Sequence, residues 1–336
     1  MKRLMLVIGI LLITLPIYAQ KPVWSLEVEA CELNLVGKAF YDTPNPYHRI
    51  DTCRFKGFTK SENMQCRCAA GLAVLFTTDA SDIGVKMDFD HASGAAYCSY
   101  RGFDLYIKKD GQWLWAGMTS FPTEHKDKEA VRALVKNMAE GEKECLLYLP
   151  IYTDINSCKV CVSGATHIDP MASPFKHKIV FHGSSFTHGI STTRAGMSYP
   201  AQFMRRTGLQ PITLGFSGNC KMQPYFADVL EEIDADAYVF DIFSNPNIPL
   251  IKERLRPFID RMVKAHPGKP IIVQRTIYWE KENFDTSAQK EYGGRRALSD
   301  SLMTEICKEY KDVYYIKPDA ALHSGESTTA DGIHPN

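Results

Sequence analysis

The chain has 336 residues, too many for one small domain and enough for two. Lys plus Arg and Asp plus Glu each number 39, so no net field draws nucleic acid or an anionic membrane surface. No basic cluster is interleaved with aromatics, which also argues against nucleic acid as a partner.

The chain opens MKRLMLVIGILLITLPIYAQ. Lys2 and Arg3 form a charged start, Leu4 to Leu15 an apolar core, and Ile17-Tyr18-Ala19 a cleavage site ending in a small residue. Residues 1–20 are therefore read as a secretory signal peptide, too short for a good membrane span, with a retained anchor as the alternative. No cysteine directly follows the apolar run, so no lipoprotein anchor is expected. No later stretch is apolar for long enough to cross a bilayer, so stable membrane insertion is not expected. The expected location is secreted or periplasmic.

From 21 to 170 the sequence reads as short β runs with turn residues between them. AGLAVLFTTD, IGVKMDFD, GFDLYIKKDGQWLWAG and ECLLYLPIYTDINSCKVCV are the clearest, and Asp110-Gly111 is a hairpin signal. HKDKEAVRALVKNM has helical spacing but is flanked by strands. The pattern predicts an antiparallel β-sandwich. Ten cysteines fit an oxidising compartment. Cys66 and Cys68 are placed on one face of a strand, Cys158 and Cys161 on opposite faces. Neither pair has a second pair at zinc-site spacing, so disulfides or buried free thiols are expected and the pairing stays open.

After the Pro-containing join DPMASPFKHK the rhythm changes. KIVFHG, PITLGFSG, AYVFDIF, PIIVQRT and DVYYIKP are short apolar runs that read as buried parallel strands. Helical patterns lie between them, near 199–207, 223–233, 248–265 and 295–310. Residues 175–336 are thus predicted to form an α/β domain with a parallel sheet, whose site lies at the C-terminal ends of the strands.

Four strings stand at those ends: Gly183-Ser184-Ser185-Phe186-Thr187-His188-Gly189, Gly215-Phe216-Ser217-Gly218-Asn219, Asp241-Ile242-Phe243-Ser244-Asn245-Pro246-Asn247 and Asp331-Gly332-Ile333-His334. Each alone reads as loop chemistry; the set in this order does not. The set resembles the SGNH (GDSL-type) hydrolases. GSSFTHG matches Gly-Asp-Ser-x-Thr-x-Gly with Ser184 in place of the aspartate. Gly218 matches the second block. Asn245 best matches the third, where the usual Gly-x-Asn-Asp is absent. Asp331 and His334 match Asp-x-x-His. GFDLY at 102–106 resembles the Gly-x-Asp-Leu-Tyr motif of the sandwich that precedes such esterases.

The resemblance implies a flavodoxin-like three-layer domain behind a jelly-roll-like sandwich. It implies Ser185 as nucleophile, His334 as base and Asp331 as its orienting carboxylate. The N–H groups of Ser185 and Gly218 and the Asn245 amide would form the oxyanion hole, with Asn247 as the alternative donor. It calls for no cofactor and no metal. The expected activity is a serine esterase removing acetyl or other short acyl groups from carbohydrates. A lipase or thioesterase on longer chains is the alternative enzyme, and a carbohydrate-binding module the non-enzyme alternative. The family continues past this histidine into a final helix, so the resemblance also implies a domain ending short of it.

Several conspicuous residues are read as structural. His177, His182 and His188 lack a carboxylate cluster; His182 is expected to pack near the strand end and His188 to line the pocket mouth. Trp113 and Trp115 share one strand face and are expected in the sandwich core rather than on a sugar. Asp104 and Tyr106 are expected to organise the domain junction.

Overall fold

A computed structural model describes residues 23–93, 97–124, 127–318, 328–329 and 331–335. The segment read as a signal peptide lies outside them. In chain order the N-terminal part forms β1 (Leu26–Glu29), β2 (Asn34–Val36), α1 (Lys60–Arg67), β3 (Ala73–Thr78), β4 (Asp82–Ala92), α2 (Cys98–Arg101) and β5 (Gly102–Lys109). It continues through β6 (Gln112–Ser120), β7 (Arg132–Val135), β8 (Lys143–Tyr148), β9 (Thr153–Ser163) and β10 (Asp169–Pro170). Two antiparallel sheets result, ordered β1-β9-β4-β7 and β10-β3-β8-β5-β6, with β2 also beside β3.

The sandwich core lies between them. Ile83, Val85 and Met87 of β4 meet Val74, Phe76, Phe103, Leu105 and Leu147 of the second sheet. The second sheet is buried on both faces. Its outer residues Leu75, Tyr106, Leu146 and Tyr148 pack against Phe175, Ala195, Ala201 and Met204 of the C-terminal part. Double burial explains why AVLF and CLLYL are unbroken apolar runs rather than alternating ones.

The C-terminal part forms β11 (Lys176–Gly183), α3 (Ser185–His188), α4 (Tyr199–Thr207), β12 (Leu209–Gly215), α5 (Pro224–Glu231) and β13 (Ala237–Asp241). Then come α6 (Ile248–Ala265), β14 (Ile271–Gln274), α7 (Thr286–Glu309) and β15 (Val313–Ile316). The five strands are parallel in the order β12-β11-β13-β14-β15. Phe226, Leu230, Leu255, Phe258, Met262, Met303 and Ile306 of α5, α6 and α7 pack on one face. Tyr199 and Phe203 of α4 pack on Ile179 and Phe181 on the other. The chain steps from β11 out to β12 and back to β13, so the crevice beyond β11 is the switch point where open α/β sheets hold their sites.

Three local expectations change. Within HKDKEAVRALVKNM, Arg132–Val135 is strand β7 paired with β4, because burying Leu134 in the sandwich outweighs helical spacing. Cys66 and Cys68 are not in a strand: Cys66 lies in α1 and Cys68 caps its end. That helix starts with a capping box of Thr59 and Glu62, visible in the sequence as Thr-x-x-Glu. Helix α7 starts at Thr286, nine residues before the expected 295, and runs through Gly293-Gly294, a pair that argues against helix locally. All ten cysteines are free thiols, and Cys66, Cys68, Cys145, Cys158, Cys161 and Cys220 are buried.

Candidate active site

The opening of the site is set by close packing at the end of β11. A Cβ on Gly183 would lie 2.1 Å from the Thr187 hydroxyl and 2.7 Å from Asp241 Cβ. Gly183 is therefore needed for close approach, and its φ is not in the left-handed region a glycine turn would use. Ser184 follows as N-cap of α3, its hydroxyl accepting from Phe186 N–H at 3.2 Å. Ser185 is the first residue of α3 and is 8% exposed.

Residues 146 positions or more apart in sequence meet on Ser185. Its Oγ is 2.7 Å from His334 Nε2, and His334 Nδ1 is 2.6 Å from Asp331 Oδ2. The other Asp331 oxygen accepts from the backbone N–H groups of Ile333 and His334, both at 2.9 Å. Burial works to raise the Asp331 carboxyl, but the hydrogen bond from His334 and the two backbone donors outweigh it and bring it down to about 2. Asp331 is thus ionised at any ordinary pH. It fixes the imidazole with its proton on Nδ1, leaving Nε2 to accept from the Ser185 hydroxyl. The Phe186 ring sits edge-on to His334, centroids 5.4 Å apart.

The loop carrying His334 is pinned from outside. Lys281 N–H donates to Gly332 O at 2.9 Å, and Glu280 accepts from Thr328 N–H at 3.2 Å and from its hydroxyl.

The expected oxyanion donors fall into different situations. Gly218 is exposed with φ +71°, and a Cβ there would meet nothing within 4 Å. Its glycine is required by conformation, since a side chain at this φ is strained. The Asn245 amide oxygen accepts from Cys220 N–H at 3.1 Å, which orients the amide and leaves Nδ2 as its donor end. Asn247 is the N-cap of α6 and accepts from Leu250 N–H at 3.0 Å. The hydroxyl cap at Ser184 takes the Phe186 N–H, so Ser185 N–H remains a helix-start donor outside that capping bond.

His182 is fully buried, 3.0 Å from Leu214 O and 3.4 Å from the Cys220 thiol, and burial pushes it down to about 4. His188 does not line a pocket mouth. It is buried, donates to Ile151 O at 2.9 Å and stacks on Tyr152 at 4.2 Å, with burial holding it well below the usual histidine range. Among the described residues no three His, Cys, Asp or Glu side chains cluster as a metal ion would need. Trp113 and Trp115 are outside the sandwich core. Trp113 stacks on Phe175, and Trp115 is half-exposed with its N–H on Asp104 at 3.0 Å. Asp104 also accepts from Gly196 N–H at 2.9 Å and faces Arg194 at 3.2 Å, which joins the sandwich to the segment after α3.

Two functional neighbours were not anticipated. Arg49 is buried, and its guanidinium donates to four main-chain carbonyls: Gln65, Cys68, Thr213 and Gly215. It thereby fastens the sandwich side to β12 immediately before the Gly218 loop. Gln65 adds a bond to Ser217 O at 3.0 Å, and Glu62 receives Gln223 at 2.8 Å, so α1 frames the same loop. Asp241 is the other, bonded to Ser184 and Thr187 on either side of Ser185. A lone Arg and a strand-end Asp carry no local signal; only the fold gives them partners.

Residues 176–336 match the GDSL-like lipase/acylhydrolase family, and residues 23–168 match the N-terminal domain of SGNH-hydrolase-type esterases, called GxDLY. No curated protein sequence matches the chain. A Bacteroides ovatus protein assigned as a GDSL-like lipase is 38% identical, with a TM-score of 0.85 over 93% of this chain and 92% of that one. The salicylyl-acyltransferase SsfX3 of a tetracycline biosynthetic pathway is similar in fold at 18% identity and a TM-score of 0.63, covering 83% and 81%. A family two carbohydrate esterase from Clostridium thermocellum, solved with cellohexaose, has 16% identity and a TM-score of 0.57 over 80% and 88%.

Proposed function

The chain belongs to the GDSL-like lipase/acylhydrolase family, with the N-terminal domain of SGNH-type esterases, and on that premise we propose that it is an exported serine esterase removing short acyl groups, acetyl foremost, from carbohydrates. The observation that carries the reading is the bonded relay from Ser185 Oγ through His334 to Asp331, at 2.7 and 2.6 Å.

In this mechanism His334 Nε2 takes the Ser185 proton as Oγ attacks the ester carbonyl carbon. Asp331, ionised throughout, stabilises the imidazolium and keeps the ring in register. The carbonyl oxygen becomes an oxyanion held by the N–H groups of Ser185 and Gly218 and by Asn245 Nδ2. Collapse expels the sugar alkoxide, protonated by His334, and leaves an acyl-Ser185. Water, deprotonated by His334, then releases the acid and restores the hydroxyl. No step calls for a cofactor or metal. Gly218 and Asp331 are both exposed, which suits an open site on a large polymer.

The carbohydrate part takes its support from the charged, apolar and small-residue pattern of residues 1–20, from the attached sandwich, and from carbohydrate esterases that share the fold. Among the described residues no helix is long and apolar enough to cross a membrane. The test is acetate release from an acetylated oligosaccharide beside a 4-nitrophenyl ester series. Acetate should turn over at least about ten-fold faster than octanoate, since a site fitted to a short acyl group discriminates against surplus methylenes. The reverse order would make it a lipase-type enzyme.

A further inference from the structure

Asp241 ends β13 fully inside the protein, and its partners are all donors. One carboxylate oxygen accepts from Ser184 N–H at 3.1 Å, Ser184 Oγ at 2.5 Å and Thr187 Oγ1 at 3.2 Å. The other accepts from Ser244 Oγ at 3.1 Å. The donors are themselves backed up: the Tyr199 hydroxyl lies 2.7 Å from Thr187, and Thr276 lies 2.7 Å from Ser244. Arg295 holds the Ser244 carbonyl at 2.8 Å from helix α7. With Ser184 and Thr187 donating inward, Tyr199 must donate to Thr187, and the whole chain of hydroxyls converges on the carboxylate.

A buried carboxylate costs free energy unless its hydrogen bonds are complete, so a role in packing alone would be met more cheaply by an apolar side chain. What this one does geometrically is specific. Ser184 is next to Ser185, and Ser244 is next to Asn245. One oxygen therefore holds the turn that presents the nucleophile, and the other holds the turn that presents the amide donor. In the motif that GSSFTHG resembles, a carboxylate stands at position 184; here Ser184 instead offers a hydroxyl to a carboxylate from the adjacent strand.

We propose that Asp241 is the positioning residue of this site, its two oxygens setting the spacing between the Ser185 turn and the Asn245 turn. The proposal rests on the reading of Ser185 as the nucleophile. Asp241 touches no substrate; it acts through Ser184 and Ser244.

The test is steady-state hydrolysis of 4-nitrophenyl acetate by wild type, S185A, D241S and D241N, each checked for folding by circular dichroism. Serine at 241 is too short to reach both turns, so D241S should lose about 10²-fold in kcat with KM within about two-fold, the loss expected of a misplacement near 1 Å. Asparagine keeps an oxygen for the three donors and turns its amide to the Ser244 hydroxyl, which can accept. D241N should therefore recover to within about ten-fold of wild type. A folded D241S with unchanged kcat, a parallel change in kcat and KM, or a D241N no better than D241S overturns the proposal. Should D241S fail to fold, S244A decides: it cuts only the Asn245 arm, and an unchanged kcat there overturns the proposal. A wild type as inert as S185A overturns the nucleophile reading instead, and the proposal falls with it; a wild type active beside an equally active D241S removes this proposal alone.

Discussion

Asn245 and Asn247 stand two residues apart and meet different partners. Asn245 is bonded to Cys220 N–H beside the Gly218 loop, whereas Asn247 caps α6 through Leu250 N–H. N245A should therefore lower kcat by about 10² to 10³-fold, the usual loss of one oxyanion donor. N247A should leave kcat intact and cost about 1 kcal/mol of stability, the usual loss of an N-cap. Kinetics and urea unfolding of the two variants separate these outcomes, and an exchange of the two patterns would move the oxyanion role to Asn247. In the sequence the string FSNPN favours Asn245 and leaves Asn247 as the alternative. Their partners differ because α6 begins at Ile248 with Asn247 as its N-cap. Ser185, Asp331 and His334 were legible because they stand in spaced strings after recognisable strands. Asp241 was not, since a carboxylate at the end of an apolar run has no local signature.

At the scale of elements, the site depends on how the His334 loop is held. The short segment around Glu280 and Lys281 bonds it at Thr328 and Gly332, and Glu282 behind that segment is paired with Arg296 of α7 by two bonds of 2.6 Å. E280A should loosen the loop and reduce kcat by about ten-fold, because productive geometry is tight. Thermal unfolding should change little, since the loop contributes few core contacts. Equal losses in KM and kcat, or an unchanged kcat, would show that the loop is held by its own turn instead. Strands β11, β12 and β13 were legible because they are buried on both faces; β15, expected as a buried strand, is instead a partly exposed edge with Tyr314 and Ile316 outward, and was legible through its β-forming Val, Tyr and Ile. Strand β7 was not, because four edge residues with one buried leucine carry no period, and α7 was cut short because Gly293-Gly294 masks a helix that packing on β14 and β15 sustains.

At the scale of the molecule, the two halves have distinct rhythms in the sequence, and their union is signalled there only by Asp104 and Tyr106 of GFDLY. Arg49 reaches carbonyls more than 160 positions away, and Asp104 reaches Gly196. The protein should accordingly unfold in one calorimetric transition rather than two. Two carboxylates in this buried framework make a pH signature. Burial raises both Asp104 and Asp241 from 3.8 to about 6, so the folded state favours their neutral forms. That stabilisation is fully present below about pH 4 and is lost as pH rises through about 6, on the order of 3 kcal/mol for each group. Between pH 4 and 7 the melting temperature of D104N should fall less steeply than that of wild type. Superimposable curves would contradict a buried, charge-disfavouring site at Asp104. Asp331 has the opposite sign: its folded value of about 2 contributes stability that is lost only below about pH 4.

The most direct test of the account is the reaction of Ser185 itself. Purified wild type and S185A, both shown to be folded, should be compared on 4-nitrophenyl acetate. The account predicts saturable hydrolysis by wild type and a loss of at least about 10³-fold in kcat on removing the one hydroxyl bonded to His334. Equal rates in the two proteins would contradict it.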